Sequence, residues 1–228
     1  MNRKNSSAKI KIPKLIDKKL KNKRISKLYN NFKKSLSLND NFIVAVSGGA
    51  DSLALSFLAK LYSIENNITA RYYIVDHKLR SDSTNEAKTV KKVLKKYSIN
   101  AKILTWKGRK PKQNIQSIAR NKRYELIFAE CRKFNIKNIL LGHHQGDLFE
   151  NFFIRLTRGS GLKGLISLDK KSKIDNINLI RPLLDQKKED LVFLSKFIFE
   201  FYVDDPTNYD EKYLRIKIRR LMNELNKS

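Results

Sequence analysis

Phe42-Ile43-Val44-Ala45-Val46-Ser47-Gly48-Gly49-Ala50-Asp51-Ser52 decides the fold. Five apolar residues in a row predict a short strand buried on both faces. Paired glycines then let the backbone turn tightly, and a helix opens behind them, with Leu55, Leu58, Ala59 and Tyr62 at helical spacing over 52–63. A strand that ends in a glycine turn and a helix N-terminus presents unpaired N–H groups and a partial positive charge, which suits a phosphate. Ser47 and Ser52 add hydroxyl donors. Asp51 is out of place beside a phosphate unless it holds Mg²⁺ or caps the helix. The loop has neither the Gly-Lys-[Ser/Thr] of a Walker loop nor G-x-G-x-x-G, and a plain serine-glycine helix cap is the duller reading.

Outward from this stretch the pattern repeats. Strands are expected at Ala70 to Val75, Ala101 to Trp106 and Asn138 to Leu141, and helices at 83–97, 114–134 and 147–157. A further strand is expected at Leu179-Ile180, then helices at 186–202 and 211–226. Short connections between alternating strands and helices predict an α/β fold: a Rossmann-like parallel sheet with helices on both faces. Residues 1–36 read as a basic N-terminal extension leading into a helix, and 37–228 as the catalytic domain, with C-terminal helices from about 186 to 228.

Composition narrows the function. The 228 residues carry 49 Lys and Arg against 22 Asp and Glu, a net charge of +27, which points to a polyanionic partner. AT-rich codon usage also inflates Lys, Asn and Ile. Residues 1–34 hold thirteen bases and one acid, Asp17, a net +12. That segment reads as a nucleic-acid arm or as a solvated helix packed on the domain. Cys131 is the one cysteine, so a disulfide framework and Cys-x-x-Cys sites are excluded. No apolar run reaches the roughly 20 residues of a membrane span, and the start lacks the apolar core of a signal peptide. The expected setting is cytoplasmic.

Ser47-Gly48-Gly49-Ala50-Asp51-Ser52 resembles the PP-loop of the N-type ATP pyrophosphatases, which hold the pyrophosphate end of ATP and release AMP and pyrophosphate. Further segments follow in order: Val75-Asp76-His77-Lys78-Leu79-Arg80, Gln116 to Tyr124, Leu141-Gly142-His143-His144-Gln145-Gly146-Asp147-Leu148-Phe149-Glu150-Asn151, and Arg155 to Gly164. With Arg181-Pro182-Leu183-Leu184 and Asp204 to Arg220, the order and spacing from about 42 to 220 are similar to the tRNA(Ile)-lysidine synthetase family. The resemblance implies adenylylation of O2 of the wobble cytidine in a CAU-anticodon tRNA(Ile), then attack of free L-lysine at C2 with loss of AMP. ATP and Mg²⁺ are the implied cofactors. The product, lysidine, pairs with A instead of G.

By the same resemblance, ATP falls to Ser47, Gly48, Gly49, Ala50, Asp51, Ser52, Asp76 and His77, with Asp51 also the candidate Mg²⁺ ligand. Arg120, His143, His144, Asp147 and Glu150 are the catalytic and lysine-binding set. Asp147 and Glu150, three apart on a helix, suit binding an amine, taking its proton or holding Mg²⁺; a helix cap with surface carboxylates is the plainer alternative. Arg120 and Arg123 share a helix face and pair with anions, or bridge to Glu125. Arg155, Arg158 and Lys163 lie in or beside a basic, glycine-containing loop suited to RNA phosphates. Arg215, Lys217, Arg219 and Arg220 interleave with Leu214, Ile216, Ile218 and Leu221, which reads as a helix held by its apolar set with bases outward for tRNA. Trp106, Phe152 and Phe153 read as core.

Two departures stand out. Gly146 occupies a place where the family has an Asp. The chain also stops at Ser228, where many members continue; the expectation is that segment 1–34 supplies tRNA affinity in compensation. A homodimer is among the open oligomeric states. The rivals are a tRNA thiolase of the same superfamily, which needs cysteines, a small-molecule amide-forming ligase, which needs no such basic surface, and an RNA-binding protein that has lost the activity.

Overall fold

The computed structural model describes residues 19–109, 111–161, 168–204 and 214–225. Its elements run α1 Lys23–Ser35, β1 Phe42–Val46, α2 Ala50–Glu65, β2 Ala70–Asp76, α3 Ser83–Lys95, β3 Ala101–Thr105, α4 Ile115–Phe134, β4 Asn138–Leu140, α5 Gln145–Thr157, β5 Lys171–Ile174, β6 Ile177–Ile180, α6 Lys188–Phe199 and α7 Leu214–Leu225. The alternating pattern is therefore real, with boundaries close to those expected.

The sheet order is β3-β2-β1-β4-β6-β5. β1 pairs in parallel with β2 and β4, and β4 in parallel with β6. β5 pairs antiparallel to β6, an edge strand the sequence reading lacked. The chain winds outward from β1 through β2 to β3, then returns to β4 on the other side. That reversal opens a crevice at the carboxyl ends of β1 and β4, the place where doubly wound sheets bind ligands.

Alternate strand residues feed two cores. Phe42, Val44, Val46, Tyr72, Ile74 and Leu140 pack with α1, α2, α3 and α6 on one face. Ile43, Tyr73, Ile139, Leu141 and Leu179 pack with Ile127, Phe128 and Cys131 of α4 on the other. This period-two division is what helices on both faces require. α1 is capped by Asn22, whose Oδ1 accepts from the N–H groups of Arg24 and Ile25, and it buries Ile25, Leu28, Tyr29 and Phe32. Within 19–36, the packed-helix reading holds; residues 1–18 lie outside the described residues. No helix among the described residues is long and apolar enough to cross a membrane.

Candidate active site

The β1–α2 loop is built from backbone constraints. Gly48 has φ +94°, and a Cβ there would lie 2.7 Å from Val90 Cγ2 of α3. Both observations demand glycine. Ser52 Oγ accepts from Gly48 N–H at 3.0 Å and donates to Gly49 O at 2.9 Å, closing the turn. Ser47 Oγ lies 3.1 Å from Ser52 Oγ. Val203 N–H donates to Gly48 O, and Ser195 Oγ of α6 donates to the buried Ala50 carbonyl at 2.5 Å. The C-terminal part of the chain thus braces the loop. Gly49 is the N-cap of α2 and no side chain caps that end, so the first-turn amides keep the anion-binding character expected of them.

Asp51 faces this crevice. Its Oδ2 takes a 2.5 Å ion pair from Lys188 Nζ, and its Oδ1 is buried without a hydrogen-bond partner. Among the described residues no group of three or more His, Cys, Asp or Glu is placed to hold a metal unaided. A Mg²⁺ carried by nucleotide phosphates needs only one or two carboxylates, and the partnerless Oδ1 fits that demand. The sequence reading missed Lys188. A lysine in the first turn of a helix opposes the macrodipole, and that misfit was its signal.

From β4, the chain passes Gly142, where a Cβ would come within 3.3 Å of the Asp51 and Ser52 backbone. His144 then caps α5: its Nδ1 accepts from Gly146 N–H at 2.9 Å, while Asp147 Oδ2 accepts from His144 N–H at 2.9 Å. His144 Nε2 stands 3.9 Å from Asp51 Oδ2 and 3.8 Å from Asp147 Oδ2. The helix-cap reading of Asp147 is thus one of its roles. His143 Nδ1 is buried without a partner. Burial, followed by the nearby cations Arg181, Arg120 and Arg215, pushes His143 down to about 4 against the pull of Asp147. It stands neutral at physiological pH, a weak base.

Glu150 is 3% exposed and does not face open solvent. Arg219 Nη2 and Nε reach its Oε1 at 2.6 and 2.7 Å, and Arg215 Nε lies 3.0 Å from its Oε2. The two arginines therefore reach Glu150 while keeping the exposure expected of them, with side chains 47% and 41% exposed. On a helix, 215, 218 and 219 share one face. Ile218 is buried between these arginines, whereas Leu214 and Leu221 are exposed. Arg220 is exposed and pairs with Glu224 at 3.3 Å.

The opposite wall is cationic. Arg120 is exposed on α4 with its guanidinium 5.2 Å from the Tyr124 ring. Arg123 is desolvated, its pKa lowered by burial and by Arg120. Glu125 pairs with Lys122 at 2.6 Å, not with either arginine. Arg181 is buried and donates to Asp169 O and Ser172 Oγ. His77 stands T-shaped to Trp106, and both its ring nitrogens are buried without partners. Burial and Arg123 hold it near 4. Asp76 turns both oxygens to its own loop, accepting from Lys78 N–H, Ser83 Oγ and Thr84 Oγ1. Burial alone would raise its pKa; those bonds outweigh it and lower it.

Arg155 lies half-buried near the end of α5, Arg158 is its exposed C-cap, and Lys163 lies outside the described residues. Phe152 is 40% exposed and Phe149 47%, so the assignment of Phe152 to the core is corrected.

Residues 18–225 match the PP-loop domain family. The chain is 38% identical over 82% of its length to the tRNA(Ile)-lysidine synthase of Orientia tsutsugamushi, and 36% identical over 80% to that of Bradyrhizobium diazoefficiens. It is 34% identical over 80% to that of Rhodopseudomonas palustris. It covers 42%, 51% and 54% of these proteins, about half the length of the curated relatives it matches. Among solved structures it is similar to a U34-tRNA thiolase of Methanococcus maripaludis with a [4Fe-4S] cluster, at TM-score 0.76, 20% identity, and coverage of 90% of this chain and 74% of that one. That likeness is one of fold.

Proposed function

This chain belongs to the PP-loop family, and from that premise we propose that it is an ATP-dependent tRNA-modifying ligase that joins lysine to the wobble cytidine of a CAU-anticodon tRNA(Ile). The observation that carries the reading is a cleft of two electrostatic halves beside an uncapped helix N-terminus. Asp51, Asp147 and Glu150 form the acidic half; Arg120, Arg123 and Arg181 form the basic half. Lysine is a zwitterion with a second amine, and such a cleft meets its carboxylate and its ε-ammonium at once.

In the proposed sequence the amides at Gly49 to Asp51 hold the β- and γ-phosphates. The cytidine O2 attacks the α-phosphorus, the bond to the β-phosphate oxygen breaks, and pyrophosphate leaves. Mg²⁺ at Asp51 would neutralise phosphate charge there. The ε-amine, having given a proton to Asp147, attacks C2 and expels AMP with its electron pair on the departing oxygen. His143, neutral and held near 4, serves as a hydrogen-bond partner rather than as this base. Exposed Phe149 and Phe152, three apart on α5, and the exposed Arg158 offer stacking surface and charge to an unpaired RNA loop.

A thiolase reading lacks its parts. Cys131 is the one cysteine, it is buried, and burial pushes its thiol up to about 11.

The test is radiolabelled lysine with ATP and transcripts of each tRNA. Label is expected in the CAU isoleucine species alone, with one AMP released per lysine, and lost in Asp51→Asn. AMP release with no lysine entering any tRNA would reject the reading.

A further inference from the structure

Resting on that reading, the geometry of α7 says how the amine site is kept closed. Two of the three carboxylates of the acidic half already meet a cation of the chain, while Asp147 accepts from the His144 N–H. Lys188 sits on Asp51, and Arg215 and Arg219 clamp Glu150. The Arg219 guanidinium also senses Asp147 and Asp51, and after Glu150 these raise its pKa against burial. Arg219 occupies Oε1, and Arg215 opposes Oε2 as an ion pair without a hydrogen bond, so an ammonium reaching the one open oxygen meets two like charges first. Yet the same two arginines are 47% and 41% exposed, with the exposed Lys217 and Arg220 beside them. They face solvent as well as Glu150.

We infer that Arg215 and Arg219 are a relay between RNA and the amine site. A bound RNA phosphate draws the guanidinium groups off Glu150, and the freed carboxylate then accepts lysine's ε-ammonium. Without RNA, Arg219 holds the amine's place and lysine is excluded. Each guanidinium trades a carboxylate for a phosphate, and Glu150 trades two cations for one, which still balances its single charge. No buried charge is left unpaired, which is the condition under which such an exchange is affordable. Lysine bound before RNA would have to displace two arginines with only water to receive them.

Equilibrium dialysis of radiolabelled lysine, with a non-hydrolysable ATP analogue and with or without tRNA, tests this on the whole chain. In the wild type, tRNA is expected to tighten lysine binding about tenfold, within the usual range of site–site coupling. By reciprocity lysine must tighten tRNA binding by the same factor, a check that needs no variant. In Arg219→Ala, lysine binding without RNA should rise towards the RNA-bound level, and the effect of tRNA should shrink to about twofold or less. Arg215→Ala, which leaves the closer, two-nitrogen contact of Arg219 on Glu150, should fall between. Equal lysine binding with and without tRNA in the wild type overturns the relay and leaves the proposed ligase standing. A full tRNA effect in Arg219→Ala also overturns it. Lysine bound under no condition overturns the ligase reading with it.

Discussion

A Cβ on Gly146 would sit 2.7 Å from His144 Cε1 and 3.1 Å from Nδ1. The ring folds over position 146 because nothing stands there, and it gains the Gly146 N–H as a donor. Gly146→Asp restores a carboxylate but evicts the ring and removes this cap. The thermal midpoint should fall by an amount corresponding to about 1 kcal/mol; an unchanged midpoint would show that the ring has another seat. The two half-buried imidazoles with partnerless ring nitrogens set a pH dependence. His77 and His143 are held near 4 in the fold, by burial first, against an ordinary 6.5. Above 6.5 both are neutral folded or unfolded, and stability is at its full value. As pH falls below 6.5 the unfolded chain takes up protons that the folded chain refuses, so stability drops towards pH 4. Between 6.5 and 5 the histidines act alone; lower down, Glu65, Glu130 and Asp76, whose folded values are depressed, add to the loss. Urea midpoints across this range should slope, and His77→Gln should flatten the slope. An equal slope in the variant would remove His77 from the account.

At the level of elements, what the sequence disclosed depended on period. β1 and β2 are apolar runs buried on both faces, and their limits were legible. β5 was not, because Lys171 and Lys173 flank its one polar inward residue and it lies at the sheet edge. Its signal was the turn: Asp175 and Asn176 both have positive φ, 46° and 63°, as a two-residue hairpin demands. α7 misled because its bases and apolar residues alternate by two along a helix that repeats every 3.6. The site's loop and carboxylates were legible as residue types, but their partners were not. Lys188 lies 137 positions from Asp51, and Arg219 lies 69 from Glu150. On α5, Phe149→Ala and Phe152→Ala should each weaken binding to a tRNA anticodon stem-loop about 5- to 100-fold. The salt dependence and thermal midpoint should stay unchanged, since neither ring pairs with a phosphate or fills the core. Equal weakening on duplex RNA would argue against stacking.

For the molecule as a whole, charge and architecture separate cleanly. α1 belongs to the core, whereas residues 2–18 carry six bases and one acid ahead of its Asn22 cap. Deleting 2–18 spares that cap. If this segment lends affinity, tRNA binding should weaken and its salt slope flatten by about 0.7 to 0.9 for each phosphate left without its cation. Unchanged affinity and slope would assign the binding to the folded part alone. The abutment at Gly142 has one more consequence. With less than a methyl's clearance between the end of β4 and the first turn of α2, the crevice floor has no room for a side chain at 142. Gly142→Ala would wedge the two apart and spread the very amides that face the phosphates, so the spacing of the crevice is written into a single missing methyl.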